Sequence, residues 1–209
     1  MIDLYTWATP NSLKIHIMLE ETELDYTSHR VNIGAEEQFK PAFLRINPNN
    51  KVPAIVDRDG PGGQPVSIFE SGAILFYLAE KTGRFFASET RDRTLVMQWL
   101  MFQMANIGPM MGQLYHFRSV APERVPYALE RYGKEVRRIL GVLEKRCEEV
   151  EYLAGDYSIA DMAAWPWLRY APNLDFPWTD FPRVKKWHDR VVGRPAVQKA
   201  IRVMGEDED

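Results

Sequence analysis

A single cysteine, Cys147, stands among the 209 residues of this chain. That scarcity excludes an intrachain disulfide framework, a Cys-x-x-Cys redox pair and a cysteine-rich zinc site, and it fits a reducing, cytoplasmic compartment. There is no excess of one charge: 26 Lys and Arg face 29 Asp and Glu, a net charge of −3. With no basic surplus, neither nucleic acid nor an anionic membrane surface is an expected partner. No apolar run approaches the roughly 18 residues of a membrane span. The opening Met-Ile-Asp-Leu-Tyr-Thr-Trp lacks the basic and apolar regions of an export signal. A Gly-rich phosphate motif, a G-x-S-x-G elbow and an H-E-x-x-H pair are all missing. The four histidines, His16, His29, His116 and His188, stand far apart in sequence, and no metal is expected.

What is present is a two-part pattern, with 45% hydrophobic residues to build a core. Ile2 to Tyr5 is β-prone and ends at Thr9-Pro10-Asn11. Leu13, Ile17 and Met18, with Glu20 and Glu21, then have helical spacing. Tyr26 to Ile33 reads as a strand, Glu36 to Arg45 as a short helix, and Asn47-Pro48-Asn49-Asn50 as a turn into a strand at Val52 to Val56. Asp59-Gly60-Pro61-Gly62-Gly63 is a hairpin loop before Val66 to Phe69, and Ser71 to Lys81 is a helix closed by Thr82-Gly83. Residues 1–83 therefore predict a βαβαββα domain.

A polar stretch, 84–93, is the expected linker, and 94–204 the expected all-helical domain. From Val125 to Val150 apolar residues recur in steps of mostly 3 and 4, placing Cys147 on one buried stripe as a small hydrophobe. Ser158-Ile159-Ala160-Asp161 has the form of a capping box, flanked by Tyr157 and Met162 at staple positions, with an aromatic-rich helix expected at Met162 to Leu168. Pro177, Pro182 and Pro195 punctuate the helices that remain, and the acidic run 205–209 predicts a frayed tail.

Three segments should meet at the carboxyl edge of the sheet, where α/β ligands commonly sit: Thr9 to Lys14, Asn49 to Pro53, and Glu70-Ser71. Val52-Pro53 before a strand has two readings. A cis peptide would present the Val52 backbone to an extended peptide, whereas a trans one would merely end a turn. Ser71 at a helix start suits a carboxylate and Glu70 beside it an ammonium, together an α-amino acid head group; the alternative is an ordinary N-cap.

These residues carry a resemblance that runs along essentially the whole chain. Thr9-Pro-Asn, Asn47-Pro-Asn-Asn-Lys-Val-Pro-Ala-Ile55, Phe69-Glu-Ser-Gly-Ala-Ile-Leu-Phe-Tyr-Leu-Ala-Glu-Lys81 and Tyr157-Ser-Ile-Ala-Asp161 together resemble the cytosolic glutathione transferases. Gln38, Gly108-Pro-Met-Met-Gly-Gln113 and Pro126-Tyr-Ala-Leu-Glu-Arg-Tyr132 narrow the likeness to the Nu class, the glutathione-dependent disulfide-bond oxidoreductases.

The resemblance implies a thioredoxin-like α/β domain, an all-α domain, a homodimer and one glutathione site per subunit, with glutathione as cosubstrate. By matching position it gives Val52, with Pro53, the cysteinyl backbone; Glu70 and Ser71 the γ-glutamyl end; and Gln38 and Lys51 the glycyl end. Arg131 matches an arginine that reaches the neighbouring subunit's site, and its other reading is a solvated helix face. Thr9 and Asn11 occupy the place beside the sulfur where other classes carry tyrosine, serine or cysteine. Tyr5 is the rival sulfur activator, near the end of the first strand. Ser12 replaces a glycine common at this point in the class, and could cap the helix or crowd the sulfur.

The expected chemistry is reduction of a small disulfide by bound glutathione thiolate, with no protein cysteine taking part. A hydroxyl, an amide and a helix N-terminus all favour the charged sulfur. Lowering a thiol pKa from about 8.5 by about 2 units raises the thiolate fraction at pH 7 from roughly 3% to roughly 75%. Conjugation to electrophiles, reduction of organic hydroperoxides, or a non-enzymatic glutathione-binding role would use the same site. The aromatic and Met-rich segment from Met97 to Phe117 is the candidate apolar wall for an electrophile.

Overall fold

Strand β1 (Ile2–Thr6) lies in the interior of a four-stranded mixed sheet, with β2 (Tyr26–Arg30) parallel on one side and β3 (Ala54–Asp57) antiparallel on the other. Strand β4 (Val66–Phe69) pairs antiparallel with β3, giving the order β2-β1-β3-β4. This computed structural model describes residues 1–206. A parallel pair needs a crossover, and α1 (Pro10–Thr22) supplies it between β1 and β2. The β3–β4 pair closes through a loop in which Gly62 and Gly63 adopt φ of 69° and 71°, a left-handed geometry that glycine enters without a Cβ clash.

Residues Leu13 to Leu19 of α1 are all buried, as expected of a helix covered on several sides. It packs against α3 (Ser71–Thr82) and against α9 (Pro195–Glu206). Arg194 clamps Glu21 with two hydrogen bonds, of 2.6 and 2.9 Å, and Lys199 Nζ lies 2.6 Å from Glu20.

Packing divides the chain into residues 1–84 together with those from 193 onward, and residues 85–192. The sequence reading placed α9 in the helical domain at 94–204, but Val197 and Ala200 are fully buried and the helix joins the first unit through α1. The stretch 84–93 is also not wholly a connector, because α4 (Thr90–Phe102) begins inside it, with Asp92 favourably placed in its first turn. The expected helix at Glu36 to Arg45 is two pieces, a 3₁₀ turn at Glu37–Phe39 and the short α2 (Pro41–Leu44). Lys40 between them is extended, as a residue preceding proline prefers. The third strand starts at Ala54 rather than Val52. Of the expected tail at 205–209, Gly205 and Glu206 complete α9, and 207–209 lie outside the described residues.

In the second unit, α4 passes through a π turn into α5 (Gly108–Tyr115), followed by α6 (Pro126–Glu149), α7 (Ile159–Leu168) and α8 (Pro182–Val192). Helix α7 is its core: Ile159, Met162, Trp165 and Leu168 are at most 1% exposed. The capping box forms as read, so the helix starts at Ile159, earlier than expected. Asp161 also accepts hydrogen bonds from Leu153 N (2.9 Å) and Trp187 Nε1 (2.8 Å), tying a loop and α8 to the cap. Gly108 and Gly112 let α5 approach Trp167, since a Cβ on Gly112 would stand 3.3 Å from that ring.

Candidate functional site

The sheet register places Tyr5 opposite Ala54, and Ala54 opposite Phe69. Three connections therefore leave one edge of the sheet together: the one after β1 with Thr9 and Asn11, the one before β3 with Lys51 to Pro53, and the one after β4 with Glu70 and Ser71. Convergence of residues as far apart in sequence as Thr9 and Ser71 follows from strand pairing alone.

At the first connection Thr9 is the N-cap of α1. Its Oγ1 accepts the Ser12 N–H at 3.1 Å and donates to Ser12 Oγ at 3.1 Å. Asn11 is the second residue of the helix and half-buried, in the first turn where the positive end of the helix dipole sits. The Ser12 side chain is fully buried and turned back toward Trp7 N at 3.5 Å. It reinforces the cap and does not crowd the solvent side. Tyr5 is stacked on His29 at 4.9 Å, tilted against Phe43, and packed on the cluster of Val31, Phe43 and Ala54. Burial raises its phenol pKa above the ordinary value, the wrong direction for a tyrosinate base, although the hydroxyl keeps its proton.

At the second connection the Val52–Pro53 peptide is cis. Val52 lies two residues ahead of the ladder, so its own peptide groups take no part in the sheet. Asn47, 2% exposed, shapes the approach: its Nδ2 donates to Lys51 O at 2.6 Å and its Oδ1 accepts from Asn49 N at 2.8 Å. Lys51 itself is exposed. Asn49 then reaches the third connection, donating from Nδ2 to Glu70 Oε1 at 3.2 Å.

Glu70, not Ser71, is the N-cap of α3, with φ 67° and ψ 114°, and its carboxylate makes no capping bond. That leaves it facing outward, where an ammonium can reach it. Ser71 is the first helical residue, so the reading of it as an ordinary N-cap does not hold. Its buried Oγ accepts a hydrogen bond from Lys14 Nζ at 3.2 Å. Gln38 lies in the 3₁₀ turn before α2, its Nε2 only 3.4 Å from Ile33 O and its buried Oε1 without a hydrogen-bond partner.

Sequence reasoning gave no role of their own to Asn47, Asn49 and Lys14, although Asn49 and Lys14 delimit two of the segments it brought to the sheet edge. Asn47 was read only as a turn former, and the density of Asn around Pro48 was the available signal. Lys14 carried none, because helical periodicity does not reveal a lysine that packs inward.

Arg131 belongs to the second unit. It is exposed on α6 and lines an open cleft of about 750 Å³ with Met110, Tyr127, Tyr132, Glu135 and Arg138. Cys147, also on α6, has its thiol pushed up to about 12 by burial, with Asp161 and Glu144 adding to the effect. His16, His29, His116 and His188 each sit in separate packing environments. Among the described residues, no three His, Cys, Asp or Glu side chains converge to hold a metal, and no helix is long and apolar enough to cross a membrane.

Residues 1–80 match the glutathione S-transferase N-terminal domain, and residues 109–195 its C-terminal domain. The disulfide-bond oxidoreductase YfcG of Escherichia coli is 52% identical over 203 residues, 96% of this chain and 94% of that protein. The chain belongs to the glutathione S-transferase family. Among solved structures, a glutathione transferase of Burkholderia graminis with two glutathione molecules bound per subunit superposes with a TM-score of 0.91 at 46% identity, over 95% of this chain and 86% of that one. A glutathione transferase of Pseudomonas putida, carrying one glutathione disulfide per subunit, gives 0.92 at 41% identity over 97% and 91%. In this transferase the first unit is thus the thioredoxin-like half.

Proposed function

We propose that this glutathione S-transferase is a glutathione-dependent disulfide reductase whose reacting sulfur belongs to glutathione. The observation that carries the reading is the occupant of the N-terminus of α1: a threonine cap, Thr9, with Asn11 beside it. The chain's one cysteine is on α6, with a thiol that does not ionise near neutral pH. The likeness to YfcG supports the substrate class, and the glutathione and glutathione disulfide held by the Burkholderia and Pseudomonas proteins support the ligand.

In this reading Val52 pairs its backbone with the cysteinyl residue beside Pro53, Glu70 takes the γ-glutamyl ammonium, Ser71 and the start of α3 take its carboxylate, and Gln38 and Lys51 meet the glycyl end. Thr9 and Asn11 donate to the sulfur. In the structure the Thr9 hydroxyl donates to Ser12 Oγ; when Thr9 turns its proton to the thiolate that bond reverses, the Ser12 hydroxyl donating to Thr9 Oγ1. The thiolate attacks one sulfur of the substrate disulfide, forming a mixed disulfide and releasing one thiolate. A second glutathione thiolate attacks the glutathione sulfur of that intermediate, giving oxidised glutathione and the second reduced product. Two glutathiones lose two electrons and the disulfide gains them. The enzyme works as a cytoplasmic homodimer, in which Arg131 extends from α6 toward the partner's glutathione.

NADPH consumption linked to glutathione reductase, with bis(2-hydroxyethyl) disulfide as substrate, tests this. Turnover well above the uncatalysed rate is expected, and Cys147→Ala is expected to keep it within about twofold. Loss of turnover in a folded Cys147→Ala protein refutes the scheme.

A further inference from the structure

Strands β1 and β2 run parallel, so their carboxyl ends finish at the same edge of the sheet: Thr6 pairs with Arg30, and Val31 N donates to Thr6 O at 2.9 Å. Trp7 follows directly, and the start of α1 takes up both of its peptide groups, its N–H donating to Ser12 Oγ at 3.5 Å and its carbonyl accepting from Thr9 N at 2.7 Å. The half-buried indole is thereby fixed two residues ahead of the Thr9 cap, and the Arg30 guanidinium carbon lies 4.5 Å from the centroid of its ring, a cation–π distance. Arg30 is exposed, and among the described residues its side chain forms no ion pair and no hydrogen bond. Other cations of the first unit are matched: Arg58 to Asp3, Lys81 to Asp57, Arg194 to Glu21 and Lys199 to Glu20. Glu37, in the turn that follows β2, is taken by Lys40 and by Asn32 N.

An aromatic face attracts a guanidinium without neutralising it, so the charge is held in place and still available to an anion. In the reading above, a glutathione thiolate beside Thr9 attacks a disulfide. A disulfide that carries a carboxylate is repelled by that thiolate unless a fixed cation offsets the charge. We propose that Arg30, held on Trp7, is a specificity-determining residue that selects disulfides bearing a carboxylate, its guanidinium meeting the carboxylate while the sulfur reacts at the start of α1. Trp7 is a positioning residue, since it acts through Arg30. The proposal rests on the glutathione reading and names a substrate class for it.

The test compares two disulfides of similar length in the NADPH-linked assay at low salt: dithiodipropionate, with a carboxylate at each end, and bis(2-hydroxyethyl) disulfide, with none. Each rate is corrected for its uncatalysed one. What is read is the ratio of kcat/KM for the first to kcat/KM for the second, so that the substrates' own reactivities cancel between variants. Arg30→Gln is expected to lower this ratio about fivefold, and Arg30→Glu to lower it further while raising the corresponding ratio for cystamine, whose ends are ammonium groups. Trp7→Ala is expected to lower the ratio about twofold in the wild-type background and not in Arg30→Gln, and Trp7→Tyr, which keeps an aromatic face, to retain it. A ratio unchanged in Arg30→Gln overturns the proposal while leaving the glutathione reading intact; an equal loss on both disulfides is such a result and places the arginine on glutathione instead. A fall in Trp7→Ala that persists in the Arg30→Gln background overturns the positioning role. Arg30 is exposed, so the two arginine variants decide the proposal even where Trp7→Ala does not fold. Wild-type protein that turns over neither disulfide above the uncatalysed rate overturns both readings.

Discussion

At the scale of single residues, the proposed sulfur site and the proposed γ-glutamyl site are held by different means. Thr9 and Asn11 owe their place to a helix start, where the cap geometry is local and was legible in Thr-Pro-Asn. Asn11→Ala is expected to raise the pKa of bound glutathione by about 1 unit or more, read from thiolate absorbance, by removing one donor to the charged sulfur. Tyr5→Phe is expected to leave that pKa unchanged, because the ring is held by His29 and Phe43; a shift there would reinstate the tyrosine. Glu70 sits at φ 67°, where a side chain costs about 1–3 kcal/mol. Glu70→Gly should relieve part of that and raise the thermal midpoint by a few degrees, while glutathione binding falls at least tenfold. A midpoint that drops would mean the side-chain bond from Asn49 outweighs the backbone cost.

At the scale of elements, most of the strands and helices were legible because each carries its own period and its own stop: Thr9-Pro10 after β1, the glycines before β4, Gly83 after α3. What was not legible depended on contacts between distant segments. The 36–45 segment broke at Lys40 because Pro41 forces the preceding residue out of the helix, a local signal that was available and not used. The inward course of Lys14 needed the position of α3, which no periodicity encodes. The capping box of α7 was read correctly, and its energetic role is larger than a cap. Burial pushes Asp161 up to about 6, against four donors that favour its ionised form. His16 is lowered to about 4, chiefly by burial. The signs oppose one another. His16 costs stability as pH falls from about 6.5 toward 4, because the unfolded chain binds a proton that the folded one refuses. Asp161 returns stability between about 6 and 4, because the folded carboxyl takes the proton first. Asp161→Asn, compared with wild type by thermal melting, should therefore lose stability more steeply between pH 6.5 and 4. A parallel pH profile would show that the two groups do not set this balance.

At the scale of the whole molecule, the largest departure from the sequence reading is the return of α9 to the first unit. Pro195 marked the start of a helix, and chain continuity assigned it to the helical half, but its buried face belongs to α1. A protein consisting of residues 1–84 is expected to melt well below the full chain and to expose apolar surface to a dye such as ANS, and a separate peptide of residues 193–206 is expected to restore part of that loss. An 84-residue chain as stable as the first unit of the intact protein would show that α9 is dispensable. During synthesis, the same arrangement imposes an order. The sheet, α1 and the loops at the sheet edge leave the ribosome first, but the helix that covers α1 appears only after residues 85–192 have been made, an interval of roughly 5–20 s at typical elongation rates. For that interval the nascent thioredoxin-like half carries an uncovered apolar face, which makes it a client for chaperones that bind chains still being translated.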